Sequence, residues 1–283
     1  MTKIRLEDIS YVYSAGTPYE KHALDNINLD IRAGVITGVI GHTGSGKSTL
    51  MQLLNGLERP TAGKVYLDGV DIWEQPKKIS AVRFRVGLVM QYPEYQLFEE
   101  TVEKDIAFGP RNMGLSDDEI SRRVAEASGF VGLAPELMKK SPFDLSGGEK
   151  RRAAIAGVMA MTPEVLVLDE PAAGLDPVGR STIFDAVERY RAGTGATVII
   201  VSHSMEDMAR ICDDVVVLSG GRIIMTGSTS EVFCRADELS ANGLDIPEVS
   251  KLMLRLRELG VPVSEIPYSV SGAYEILKKD FAL

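Results

Sequence analysis

A chain of 283 residues, 45% apolar and 25% charged, has the size of one large domain or of a domain with a small appendage. Its net charge of −9 speaks against bulk nucleic-acid binding, which needs a basic face. No apolar run approaches the ~18 residues that span a bilayer, and Met1–Asp8 lacks the apolar core of a secretory signal, so a cytoplasmic location is expected.

In chain order, short strand-like pieces come first: Ile4–Leu6, Tyr11–Tyr13, Ile27–Ile31 and Val65–Leu67, separated by turn residues and suggesting an antiparallel edge layer. The apolar run Val35–Ile40 leads straight into Gly41-His42-Thr43-Gly44-Ser45-Gly46-Lys47-Ser48. A helix over Ser48–Leu54 follows, with Gly56 as its stop. From about Pro93 to Gly157 strand patterns give way to helical ones, as in Asp117–Ala127 and Lys150–Met161, which reads as a helical subdomain inserted at roughly 93–157. Val165–Leu168, Val198–Val201 and Val215–Leu218 are short apolar runs of the buried parallel type, with a helix over Pro177–Arg191 between the first two. Past residue 240, Pro247 sits where a helix begins. Val249, Leu252, Met253, Leu256 and Leu259 then give that helix one apolar face, ended by Gly260 and Pro262. The fold class is therefore α/β with a mostly parallel sheet, an antiparallel β edge layer, an inserted helical subdomain and a short C-terminal extension. The expected division is 1–240 and 245–283. Cys212 and Cys234 match no metal or redox spacing and read as reduced thiols, and His22, His42 and His203 are too scattered to suggest a metal site.

Residues 41–48 fit the phosphate-loop pattern G-x-x-x-x-G-K-[ST], with a strand before and a helix after. Gly41, Gly44 and Gly46 let the backbone turn its amides toward phosphate oxygens, and the helix N-terminus adds partial positive charge there. Thr43, Ser45 and Thr49 belong to the same cradle. Lys47 would reach the β- and γ-phosphates and Ser48 would hold Mg²⁺. Asp169 ends a buried strand, where ligands of α/β sheets bind, and its carboxylate suits Mg²⁺. Glu170, one residue on, can polarise a water aimed at the γ-phosphorus.

Between these elements stands Leu145-Ser146-Gly147-Gly148-Glu149. With the phosphate loop and Leu168-Asp169-Glu170, it resembles the signature of the nucleotide-binding subunits of ATP-binding cassette transporters. The resemblance covers residues 1 to about 240. It implies an ATPase with ATP and Mg²⁺ as cofactors. It also implies that Ser146, Gly147 and Gly148 complete the ATP site of a second, identical or paralogous ATPase subunit. By the same resemblance Gln91 contacts the metal and the attacking water, Ala173-Gly174-Leu175-Asp176 crosses the dimer interface, and His203 is the switch histidine at the γ-phosphate. Tyr13 resembles the aromatic that stacks on adenine, although Tyr11 lies two residues away on the same strand face and a packing role is the alternative.

Narrower features, Gln91–Phe98 (QYPEYQLF) and Asp105–Pro110 (DIAFGP), the Gly16–Glu20 insertion and the short C-terminal extension, are similar to the ATPases of energy-coupling factor importers of the cobalt or vitamin type. That similarity implies a transmembrane scaffold docked near Pro93–Phe98, a membrane subunit that captures substrate, no nucleic-acid partner, and a peripheral place on the cytoplasmic face of the membrane. The apolar face of Val249–Leu259 would either meet a second subunit or cap the chain's own core. The alternative is a soluble cassette ATPase acting on DNA or ribosomes. Only 99 residues separate Lys47 from Ser146, too few for the coiled coil of the DNA-repair members, and translation-type members carry two cassettes where this chain carries one.

Overall fold

The computed structural model describes residues 1–281. Ala282 and Leu283, the last two residues of the expected extension, lie outside the described residues. The chain opens with β1 (Thr2–Tyr13), β2 (Lys21–Arg32), β3 (Ile36–Gly41), α1 (Lys47–Leu54), β4 (Ala62–Leu67) and β5 (Val70–Asp71). It continues through α2 (Ile79–Arg85), β6 (Val86–Val89), α3 (Val102–Asn112), α4 (Asp117–Val131) and α5 (Gly147–Met159). Then come β7 (Val165–Asp169), α6 (Pro177–Thr194), β8 (Thr197–Val201), α7 (Met205–Ile211), β9 (Asp214–Ser219) and β10 (Arg222–Ser228). Four helices close it: α8 (Thr229–Phe233), α9 (Ala236–Ala241), α10 (Glu248–Glu258) and α11 (Val270–Asp280).

Two sheets organise these elements. One is antiparallel, in the order β2-β1-β4-β5. The other runs β10-β9-β3-β8-β7-β6 and is parallel except for the β10 edge. The central strands are apolar at nearly every position because both of their faces are covered. Their period-2 alternation sorts the side chains into two cores. Ile36, Ile40, Leu166, Leu168, Val198, Ile200, Val215 and Val217 face the helices. Val39, Val165, Val167, Ile199, Val201, Val216 and Leu218 face α1 and the antiparallel sheet. The sheet is thus a middle layer, and its parallel strands all end at one edge.

The opening strands are longer than the sequence patterning suggests. Ile4–Leu6 and Tyr11–Tyr13 belong to one twelve-residue strand, and Ile27–Ile31 is part of another. The polar residues between the apolar pieces bend the ladder without ending it. Asp8 and Asn26 adopt positive φ (50° and 51°) and the pairing register shifts between Leu6 and Ile9. The Asp8 amide donates to Asn28 Oδ1, and Asn28 Nδ2 donates back to Asp8 Oδ1, at 3.0 Å each, so side chains replace the interrupted backbone pairing.

Among the described residues no strand lies between β6 and β7, and α3, α4 and α5 fill that interval. Local chemistry fixes their ends. Ser116 caps α4 by accepting from the Glu119 amide, three acidic residues occupy its first turn, and Gly132 ends it at φ 65°. α5 starts at Gly147, three residues before the position that its apolar pattern suggested, because Ser146 and Glu149 form a reciprocal capping box. α6 opens with Asp176 as cap and Pro177 in the first turn. In α10 only Met253 of the expected apolar face is fully buried. Val249 and Leu256 pack partly against the core, whereas Leu252 and Leu259 are 57% and 66% exposed.

Tyr190 on α6 is fully buried, stands edge-on to Phe130 at 5.4 Å, and donates its hydroxyl to the Pro163 carbonyl at 2.9 Å. Tyr190→Phe keeps the ring but leaves a buried carbonyl without its donor. It should destabilise the fold by about 1–2 kcal/mol, read as a lower urea midpoint with an unchanged slope.

Candidate active site

Four parallel strands deliver their C-terminal ends to one cavity of about 280 Å³. β3 runs into the 41–46 loop, β6 leads to Gln91, β7 ends in Asp169 and Glu170, and β8 leads to His203. Thr43, Gly44, Gly46, Lys47, Ser48, Thr49, Gln91, Asp169, Glu170, His203 and Tyr13 all line this cavity. Gly41 and Ser45 stand behind it and shape the loop. Gly41 has φ 154°, and a Cβ there would meet the Leu218 carbonyl oxygen at 2.3 Å; Gly46 has φ 104°, and a Cβ there would meet the Ala23 carbonyl oxygen at 2.6 Å. Only glycine permits both the conformation and the close approach.

Lys47 is 6% exposed and donates to the carbonyls of Gly41 and His42, at 2.6 and 2.8 Å. Burial pushes its ammonium below the ordinary lysine value, with the charges of Glu170 and Asp169 opposing. Ser48 Oγ donates to Asp169 Oδ2 at 2.9 Å, which joins the start of α1 to the end of β7. Tyr13 and Tyr11 separate clearly. Tyr11 is 8% exposed and donates to Glu58 Oε2 at 2.6 Å. Tyr13 stands edge-on to Tyr11 at 4.8 Å, shares a 2.9 Å hydrogen bond with Thr49 Oγ1, and faces the cavity.

Glu170 is the strained residue of the site. It sits at φ 51°, a left-handed conformation costly for a non-glycine residue, and is 9% exposed. Its Oε1 is buried without a hydrogen-bond partner and lies 3.4 Å from His203 Nε2. Burial, reinforced by the Asp169 charge, raises its carboxyl from the ordinary 4.5 to about 7, and the His203 amide and Lys47 only partly offset this. His203 moves the other way, pushed down by burial and by Lys47.

Ser146, Gly147 and Gly148 are not brought to this cavity. They form the capped N-terminus of α5, where Glu149 Oε2 accepts from both the amide and the hydroxyl of Ser146, at 2.8 and 2.6 Å. Ala173–Leu175 form a turn and Asp176 caps α6, accepting from the Gly179 amide at 2.7 Å. Sequence reasoning missed Lys21, Ala23 and Val201, which also line the cavity. The signal for Lys21 is positional, since it pairs with Tyr13 across the β1–β2 ladder. A contact from the C-terminal segment was also missed: the His42 ring lies 3.1 Å from the Asn242 carbonyl through Nε2.

A family model described as ABC transporter matches residues 24–173, more than half of the chain and the stretch from β2 to the turn after Glu170. The chain belongs to the ABC transporter family. A second model, of an AAA domain, matches residues 139–208. The "Energy-coupling factor transporter ATP-binding protein EcfA2" of Clostridium acetobutylicum is 52% identical over 97% of this chain and 97% of its own. The protein of the same name in Streptococcus pyogenes is 49% identical over 97% and 99%. Among solved structures, cbiO1 from Clostridium perfringens, described as part of the ABC transporter complex cbiONQ, superposes with a TM-score of 0.77 at 39% identity, covering 92% of this chain and 97% of that one. The cassette MJ0796, solved as a dimer in a post-hydrolysis state bound to ADP and Pi, gives 0.71 at 26% identity, covering 80% and 98%. Within its family, this cassette is an ATPase of the energy-coupling factor type, built on the phosphate-loop fold expected for it.

The Glu170 shift has a defined sign. Its protonated form is favoured on folding, so the stability it contributes is present below pH 4.5 and is lost as pH rises through about 7. At 1.36 kcal/mol per pKa unit, that is on the order of 3 kcal/mol. In the nucleotide-free chain, Glu170→Gln should therefore raise the urea midpoint at pH 8 and leave it near wild type at pH 5.

Proposed function

We propose that this chain is one of two ATPase subunits driving an energy-coupling factor importer for vitamins or metal ions. In this reading residues 1–240 are the ATPase domain, with its helical subdomain at 93–157, and 245–283 are an extension suited to contact a second subunit. The chain works from the cytoplasmic face of the membrane, bound to a transmembrane scaffold beside a substrate-capture subunit, with no nucleic acid involved. Among the described residues no helix is long and apolar enough to cross a membrane, so attachment would run through these partners.

The residues fit the ligands this function requires. The 41–46 loop and the uncapped start of α1 offer amides to phosphates, and Tyr13 faces the cavity edge-on to Tyr11, free to stack on adenine. Ser48 and Asp169 present adjacent hard oxygens and Gln91 lines the same wall, a donor set suited to Mg²⁺, which takes its remaining ligands from phosphate and water. The ion would supply charge neutralisation at the β- and γ-phosphates. Lys47 places positive charge at the same oxygens. Glu170 orients and deprotonates the attacking water, and His203 holds Glu170 and the γ-phosphate in register. Ser146, with the amides of Gly147 and Gly148, closes over the nucleotide of the partner subunit, so closure of the dimer assembles both sites and hydrolysis reopens them.

One observation carries this reading: the cavity gathers Lys47, Ser48, Asp169, Glu170 and His203, while the signature at Ser146 faces elsewhere. A single chain holds two halves of different sites. In the complex assembled with its membrane partners, Glu170→Gln should still bind ATP and should lower phosphate release to background. Near-normal turnover in that variant would refute the assignment. Purification from detergent-solubilised membranes should recover a membrane scaffold; ribosomes or DNA in its place would favour the soluble alternative.

A further inference from the structure

Arg151 lies on α5, five residues past Ser146, with its side chain only 4% exposed. Its Nε and Nη2 donate to both carboxylate oxygens of Glu94, at 3.0 and 2.7 Å. Nη1 donates to the Ala173 carbonyl, in the turn that follows Glu170. The guanidinium carbon also stands 5.8 Å from the centre of the Tyr92 ring. Tyr92 follows Gln91 directly and holds a left-handed conformation, φ 54° and ψ 56°, which a non-glycine residue keeps only when its surroundings impose it. One buried cation therefore touches the segment after Gln91, the turn after Glu170 and the helix that begins at the signature.

A planar guanidinium gripping a carboxylate with two parallel hydrogen bonds fixes orientation as well as distance. A lysine or an apolar residue would not, and a buried ion pair is weak evidence of a purely stabilising role. α5 is one continuous helix capped by Ser146, which lies about 7–8 Å along its axis from Arg151 at 1.5 Å per residue. A displacement of the Gln91 segment or of the Ala173 turn then moves the signature with it, unless the fork breaks.

We infer that Arg151 is a positioning residue that ties the Gln91 and Glu170 side of one ATP site to the Ser146 helix serving the other. This rests on the reading that Ser146 completes the partner's site. It assigns to this residue the coupling between the two sites.

The test uses the assembled transporter carrying Arg151→Gln, Arg151→Lys, Glu94→Gln or the Arg151→Gln/Glu94→Gln pair. ATP affinity, measured by titration with a fluorescent ATP analogue, should stay within about twofold of wild type, because the phosphate loop is untouched. The kcat of each variant should fall about 10–100-fold, and the Hill coefficient for ATP should drop to about one. The double variant should be no worse than the worse single one. Arg151→Lys should recover the urea midpoint without recovering the Hill coefficient. A lower urea midpoint with kcat and Hill coefficient unchanged per folded molecule would show a staple only and overturn the inference. If Arg151→Gln fails to fold, Glu94→Gln, which keeps the shape and removes the charge, carries the same expectations. Loss of turnover in Glu170→Gln alongside unaffected Arg151 and Glu94 variants defeats this inference alone, whereas turnover in Glu170→Gln defeats the reading beneath it.

Discussion

The parallel strands β3, β7 and β8 lie between two apolar layers, one made by the helices and one by α1 with the antiparallel sheet. With both faces dry, each backbone amide and carbonyl of these strands must pair within the sheet, and the register from Ile36 and Val198 across to Val165 leaves no slack. The polar chemistry is thereby pushed to the strand ends. Because the strands run in one direction, their carboxyl ends share an edge, and the phosphate loop, the Asp169–Glu170 pair and His203 meet there without being close in sequence.

The electrostatics of the site follow from that placement. Glu170 is two residues past the dry part of β7, which ends at Leu168, so it keeps most of the burial of the strand while gaining Asp169 as a charged neighbour. Its carboxyl is raised to about 7, the range in which a carboxyl can exchange a proton at cellular pH. The strained backbone at Glu170 is the cost of turning a strand end so sharply that its side chain points back into the cavity. Lys47, by contrast, is held by its own loop's carbonyls, which fixes the direction of a flexible side chain. Arg151 extends the same economy outward, with one buried fork joining its own helix to two segments that the chain visits far apart.

Much of this was legible in the primary structure, for identifiable reasons. The phosphate loop needs glycines at fixed offsets because Gly41 and Gly46 have no room for a Cβ. Asp169 could be placed at a strand end because four apolar residues precede it. What escaped depended on contacts between distant segments. The β1 strand looked like two pieces because Asp8 interrupts the apolar pattern, and only its exchange of hydrogen bonds with Asn28 shows why the strand continues. Lys21 carries no motif and enters the cavity only through its register with Tyr13. α10 reads as a helix with one apolar face, but nothing in its spacing says that Met253 is buried while Leu252 and Leu259 remain exposed.

The sequence by itself determined the glycine-rich loop at 41–48 and the strand-end position of Asp169, because each depends on local backbone geometry or on the residue type at a strand end, and the signature-like segment Leu145–Glu149 carried the resemblance to the family. Only the tertiary structure places Tyr11 and Tyr13 apart, since Glu58 holds one ring in the core and Thr49 holds the other at the cavity. It alone joined the Ser146 helix, through Arg151, to Glu94 and Ala173. The physical reason is the same in both cases. Burial and hydrogen-bond pairing between remote segments are properties of the packed chain, and no local pattern of residue types encodes them.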